Sequence, residues 1–237
     1  MSLETYQNLP QIPQRTPEWY QKRSEIITAS NVASLLHLNS YHSYEDYLRS
    51  PPDPTARVIP AITKRNFHEI TPMDCGTILE SIARQHFEQN TQHPVGALGL
   101  RIHPEIPFLG ASPDGIQIVD GHPRLVEFKC PKSRQITYSV PIEYWVQMQI
   151  QMEVCRLPEC DFLETKFVEY PDYTSYKNDT SNPQYSGTII YFHTPDGKPF
   201  YVYQPLNLKL KEDIEKWEEE MLEKYQSEQY NYIFLRF

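Results

Sequence analysis

The sequence has no CxxC pair, no apolar run of membrane-spanning length, no internal repeat and no excess of basic residues. Each absence excludes something. Four scattered cysteines, Cys75, Cys130, Cys155 and Cys160, argue against a zinc site or a disulfide framework and for buried free thiols. The missing apolar run excludes a spanning helix. The first residues, MSLETYQNLPQIPQRTP, lack a charged start followed by an apolar stretch, so no secretory signal is read there. The expectation is an intracellular protein, cytoplasmic or nuclear, without a membrane partner. A net charge of −9 is the opposite of what a general DNA-coating protein carries. Any nucleic-acid contact must therefore come from a local patch, with Lys22, Arg23, Lys64, Arg65, Arg84, Lys132 and Arg134 as candidates.

What is present is a globular chain of 237 residues, 39% hydrophobic and 22% charged. Residues 1–16 carry several prolines and read as an N-terminal arm, leaving 17–237 as a single domain. TPEWYQKRSEI opens with a Thr-Pro helix start; SNVASLLHL reads as a helix with Ser30 as N-cap, and SYEDYLRS as a third. SPPDPTARVIP is a loop. TPMDCGTILESIARQHFEQNT is a helix capped by Thr71, with Leu79, Ile82, Ala83, His86 and Phe87 on its apolar side. Residues 95–130 read as short strands, PIEYWVQMQIQMEVCR as helix and CDFLETKFVEY as strand. Residues 171–186 form a loop, and GTIIYFHT and KPFYVYQP a hairpin. A final helix from about Asn207 to Ser227 aligns Leu210, Ile214, Trp217, Met221 and Tyr225. This order predicts an α/β fold with a central mixed sheet flanked by helices.

The chemistry concentrates in ASPDGIQIVDGHPRLVEFKCPKS, residues 111–133. The Asp120-Gly121 pair turns one strand back on the next. If the turn closes near Gly121-His122, residue 114 lies opposite 129 and 116 opposite 127. Leu125, Glu127 and Lys129 share one face of the second strand, and Val126, Phe128 and Cys130 the other. Asp114 then lies within reach of both Glu127 and Lys129. Two carboxylates on a rigid sheet are hard oxygen ligands for Mg²⁺ or Mn²⁺. Spacing alone favours a buried Lys–carboxylate ion pair or an exposed cross-strand salt bridge, because D-x(n)-E-x-K is a loose pattern.

SPDG followed by VEFKCP resembles the PD-(D/E)XK nuclease superfamily, and in particular its lambda-exonuclease-like, YqaJ-type viral recombinase family. EWYQKRSEIITASNVASLL, CGTILESIA and EYWVQMQIQMEV are similar to that family's further blocks, in the same order, across about residues 18–154. The resemblance implies a restriction-endonuclease-like core and a metal-dependent exonuclease that degrades double-stranded DNA 5′→3′ in viral or phage recombination and repair, through a metal-activated water. It implies Asp114, Glu127 and the backbone carbonyl of Phe128 as ligands of one or two Mg²⁺ or Mn²⁺ ions. Lys129 would orient the attacking water, and Glu80 would add a carboxylate, where spacing alone pairs it with Arg84. Gln147, and less clearly Gln149, would face the site, although Glu143, Gln147 and Gln151 otherwise read as the wet stripe of an amphipathic helix. Arg23, Ser30 and Ser112 would hold a 5′-phosphate. Implied partners are double-stranded DNA ends, a single-strand annealing protein and further copies in a homotrimer. A structure-specific DNA or RNA endonuclease on the same fold, and a non-catalytic DNA-end-binding module, remain the alternatives. An iron–sulfur version is disfavoured by the cysteine spacing.

Overall fold

The computed structural model describes residues 2–49, 72–193, 199–226 and 230–237. The loop expected over 50–60, the Thr71 cap and the candidate cations Lys64 and Arg65 lie outside the described residues. The chain divides into two compact units, where one domain with an arm was expected. The first takes residues 1–58, 87–128 and 136–163, and the second takes 59–86, 129–135 and 164–237.

In the first unit the chain starts with α1 (Leu3–Gln7) and α2 (Pro17–Glu25). Thr16 caps the start of α2 by accepting the Trp19 N–H at 3.2 Å, and Pro17 occupies the first turn, where a missing N–H costs nothing. The segment expected as an arm is packed down. Tyr6 is buried with Leu98, Ile116, Leu125, Cys155 and Leu157, and Ile12 exchanges both backbone hydrogen bonds with Leu100, at 2.9 and 2.7 Å. β1 (Ile27–Thr28) leads into α3 (Ala29–Leu35) and α4 (Tyr44–Arg49). Here the cap expectation is corrected: Thr28 holds the N-cap position and Ser30 lies inside the helix. The cause is a strand contact invisible in the local sequence. Ile27 and Thr28 pair in parallel with Leu109 and Gly110, which holds Thr28 extended and starts the helix at Ala29.

α5 (Pro72–Thr91) runs from the second unit into the first; Leu79, Ile82 and Ala83 on its apolar side are buried as expected. β2 (Arg101–Ile102) and β3 (Leu109–Ala111) form a sheet with β1 in the order β1-β3-β2. β4 (Gly115–Val119), β5 (His122–Lys129) and β6 (Cys160–Glu164) form another, in the order β4-β5-β6. β4 and β5 are antiparallel, and their turn consists of Asp120 (φ 51°) and Gly121 (φ 81°). Positive φ at both turn residues matches the strand twist of a two-residue hairpin, which is why Asp-Gly stands there. Val119 faces His122 and Gly115 faces Val126. The register is therefore displaced by two residues from the expected pairing of 116 with 127, so that 114 continues the ladder towards Glu127. A two-residue displacement preserves which side chains share a face.

Along β5 and β6, Leu125 N–H donates to the carbonyl of Glu159 and the backbone carbonyl of Lys129 accepts from Thr165 N–H. Both segments advance in the same direction, so the sheet is mixed. Between β5 and β6 runs α6 (Ile142–Cys155), closed by Arg156 in the left-handed conformation. Val154 and Ile150 of α6 pack on Ala29 and Ala111, which fixes the helix against α3 and β3.

The second unit contains β7 (Val168–Glu169), α7 (Tyr173–Lys177), β8 (Ser186–His193), β9 (Pro199–Tyr203), α8 (Lys211–Tyr225) and β10 (Tyr230–Arg236). Its sheet has the order β7-β10-β8-β9 with antiparallel pairs. The β8–β9 hairpin stands as expected. Three details differ. The 171–186 loop holds α7, capped by Asp172, which accepts from Ser175 N–H at 2.7 Å. The last helix begins at Lys211, so Leu210 stays exposed. The chain also ends in β10, a strand the sequence reading did not include. Trp217, Met221 and Leu222 of α8 cover Ile190 and Phe192 of β8, so the apolar stripe on that helix is core.

Candidate active site

Asp114 follows the Ser112-Pro113 step, immediately before β4. Gln14 holds this turn by donating Nε2 to the carbonyls of Pro113 and Leu98, at 2.9 and 2.8 Å. Gly115 comes next because there is no room for a side chain: a Cβ there would sit 2.3 Å from Val95 Cγ1. The Asp114 carboxylate then takes over a ladder hydrogen bond, accepting Phe128 N–H on Oδ2 at 2.8 Å. Phe128 itself is buried on the opposite face, edge-on to Phe87.

Glu127 is 0% exposed, and α6 supplies its partners. Gln147 Nε2 donates to Oε1 at 2.6 Å and Gln151 Nε2 donates to Oε2 at 2.7 Å. The wet-stripe reading of α6 is thus reversed. Glu143 is 9% exposed, within 3.5 Å of the Ser40 hydroxyl, and Gln151 is 0% exposed. Gln149 points away from this stripe and is exposed. Gln151 is the residue sequence reasoning passed over, although its spacing from Gln147 was the signal. Its Oε1 is buried without a hydrogen-bond partner. Such an orphan costs about 1–3 kcal/mol, yet it follows from the amide's orientation: turned over, the oxygen would face the carboxylate.

Asp114 and Glu127 each lie close enough to Cys160 of β6 for their charges to act on its thiol. Burial first, then the negative charges of Glu127, Asp161 and Asp114, push the Cys160 thiol up. Burial likewise pushes Cys155 up to about 11, against a smaller opposing pull from the Arg101 guanidinium. All four cysteines are free, and these two are protonated thiols at neutral pH. Because the folded Cys155 pKa lies above the unfolded one, its stabilisation is complete below about pH 9 and is lost as pH rises through about 11. The urea midpoint is expected to fall across that window, and to fall less for Cys155→Ala.

The two carboxylates suit a hard cation. A carboxylate accepts at about four lone-pair sites, so Glu127 keeps acceptor capacity beyond its two amide bonds. Among the described residues no group of three or more His, Cys, Asp or Glu side chains gathers as a metal cage. One or two carboxylates with water completing the shell is the donor set of Mg²⁺, whereas structural zinc takes a closed set of four.

The residues expected around a phosphate also come together in the first unit. Trp19 Nε1 donates to Ser112 Oγ at 2.9 Å, and Arg23 lies over the Trp19 ring at 4.4 Å. Arg23 Nη2 donates to Ser30 Oγ at 3.2 Å, and Ser30 Oγ lies 3.1 Å from Thr28 Oγ1. Trp19 was not singled out beforehand, yet it is the link between the Arg23–Ser30 pair and Ser112. Of the remaining candidates, Glu80, Arg84, Lys129, Lys132 and Arg134 belong to the second unit. Lys129 ends β5, two residues after Glu127 and so on the same strand face. Glu80 lies on α5, where Arg84 Nη2 sits 3.5 Å from its Oε1, the pairing that spacing alone indicates. Of the other candidate cations, Lys22 pairs with Glu25 at 3.2 Å and Arg134 with Glu164.

The family model of the YqaJ-like viral recombinase domain matches residues 18–158, which holds α2, the Asp114–Glu127 hairpin and all of α6. The chain belongs to that family. A relative of this YqaJ-like chain is the uncharacterized protein R354 of Acanthamoeba polyphaga mimivirus, 27% identical over 252 residues, covering 91% of this chain and 44% of the relative. The chain thus spans under half the length of that relative. Among solved structures, an alkaline exonuclease from Laribacter hongkongensis (LHK-Exo) aligns with a TM-score of 0.48 and 25% identity, covering 89% of this chain and 93% of the other. LHK-Exo in complex with dAMP aligns at 0.47 and 24% identity, with the same coverage. No helix of the YqaJ-like chain, among the described residues, is long and apolar enough to cross a membrane.

Proposed function

We propose that this YqaJ-like chain is a divalent-cation-dependent deoxyribonuclease that degrades linear duplex DNA 5′→3′ during recombination and repair. The observation that carries the reading is a fully buried, doubly hydrogen-bonded Glu127, with the Asp114 carboxylate tied to the next residue of the same strand, Phe128. Charge buried this way is costly unless it is compensated. A Mg²⁺ or Mn²⁺ ion held by Asp114, Glu127 and the Phe128 carbonyl would compensate it, stabilise charge developing on a phosphate and lower the pKa of a bound water.

The chain's own residues do the rest. Lys129, on the Glu127 face of β5, orients the attacking water. Glu80 adds a carboxylate in this reading, on the strength of the family pattern. Arg23 offers a guanidinium fork to a terminal 5′-phosphate, with the Ser30 and Ser112 hydroxyls as further donors. Stacking on Trp19 restricts where that fork points. A seat for a 5′-phosphate is what gives the reaction its polarity. A homotrimer and a single-strand annealing partner belong to the same reading, and the mass in solution tests the first of these.

The test is digestion of end-labelled duplexes in Mg²⁺ or Mn²⁺, with EDTA and a closed circular duplex alongside. Linear DNA should be degraded, fastest from 5′-phosphorylated ends, and circles spared. Equal cutting of circles would make the protein an endonuclease, and linear DNA left intact would end the nuclease reading. Arg23→Ala is expected to lower kcat/KM on 5′-phosphorylated ends by about 10–100-fold, the worth of a charged hydrogen-bonded contact, and to change little on 5′-hydroxyl ends.

A further inference from the structure

We propose that Gln151 is a positioning residue, which together with Gln147 locks the Glu127 carboxylate in the rotamer that binds the cation. The proposal rests on the nuclease reading above. The geometry is specific: the two amides come from successive turns of one helix, and each takes a different oxygen of the same carboxylate, at 2.6 and 2.7 Å. The terminal torsion of a glutamate is soft and broad, so one donor would leave the second oxygen free to swing. Two donors on a rigid rail remove that freedom. The rail is rigid because α6 is anchored on both sides of Gln151, by Ile150 and Val154 on Ala29 and Ala111, and by Cys155 among Ile116 and Leu125.

The orphaned Oε1 separates this role from plain packing. At a position that is 0% exposed, Met or Leu would fill comparable volume without burying an unpaired acceptor. What an amide supplies there, and Met or Leu would not, is the donor that Glu127 Oε2 accepts. Groups that orient a metal ligand from behind typically alter metal affinity about 10–100-fold when removed.

The experiment is Mn²⁺ binding to the DNA-free protein, read by electron paramagnetic resonance, with far-UV circular dichroism and a thermal melt in EDTA beside it. Wild type should bind Mn²⁺, and Glu127→Ala should not. Gln151→Met should bind about 10–100-fold more weakly than wild type, and Gln151→Asn, which keeps a shorter amide, should recover part of the loss. If Gln151→Met does not fold, Gln151→Asn against wild type carries the comparison. A role confined to structure would move the melt and leave the Mn²⁺ affinity of the folded variants unchanged, and that result would overturn the proposal. Failure of the nuclease reading looks different: wild type itself would neither bind Mn²⁺ nor degrade linear duplex.

Discussion

Asp114→Asn should lower DNA cleavage on the order of 10³-fold, the rate equivalent of several kcal/mol of lost charge stabilisation. Asparagine is the informative choice. Its side-chain oxygen can still accept the Phe128 N–H that Asp114 Oδ2 now accepts at 2.8 Å, so the hairpin keeps its local tie. Only the charge is removed. The urea midpoint should therefore stay near that of wild type, and Mn²⁺ binding to the DNA-free protein should weaken. Lys129→Ala supplies the contrast. It should lower cleavage comparably and leave Mn²⁺ binding in place, because an ammonium orients water and does not ligate a cation. Single-turnover rates on end-labelled duplex, with Mn²⁺ titrations of the same preparations, check both. Full cleavage by Asp114→Asn would exclude that carboxylate from the chemistry.

The second large effect concerns stability. Phe192→Ala should destabilise the second unit by about 3–5 kcal/mol. Phe192 is 0% exposed, stacks with Phe200 at a centroid distance of 5.2 Å, meets Tyr225 at 5.1 Å, and lies under Trp217. Truncation therefore loses transfer energy and leaves a cavity walled by several rings that cannot all collapse inward. Urea unfolding followed by tryptophan fluorescence reads the effect, since Trp217 reports on the same cluster. A shift below about 1 kcal/mol would mean that the cluster repacks, and that the aromatic density of this unit is not what holds it.

Legibility of the site followed physical range. The hairpin carrying Asp114 and Glu127 was readable because its determinants are local: Asp120 and Gly121 supply the positive φ values, and alternation places Glu127 and Lys129 on one face. Even the displaced register keeps the same residues on each face, since a two-residue displacement keeps parity. The starts of α2 and α8 show the same principle from opposite sides. The Thr16-Pro17 cap is a local hydrogen bond and was anticipated. The expected start at Asn207 came from extending an apolar stripe past the point where the helix begins, with Leu210 left outside.

Ser30 was placed as an N-cap because the residues after it read as helix. The β1–β3 pairing, between residues far apart in the chain, moved the cap to Thr28. The polar stripe of α6 is the clearest case. Periodicity states that Glu143, Gln147 and Gln151 share a face, and is silent on whether that face meets water or a carboxylate. The sequence by itself determined the local pieces: the Asp-Gly hairpin, the face shared by Glu127 and Lys129, the α2 cap and the family blocks that order them. Only the tertiary structure decided that α6 turns Gln147 and Gln151 inward onto Glu127 and that Trp19 joins Arg23 to Ser112. Both depend on which surfaces pack together, and packing is a free-energy balance over the whole fold that no single segment carries.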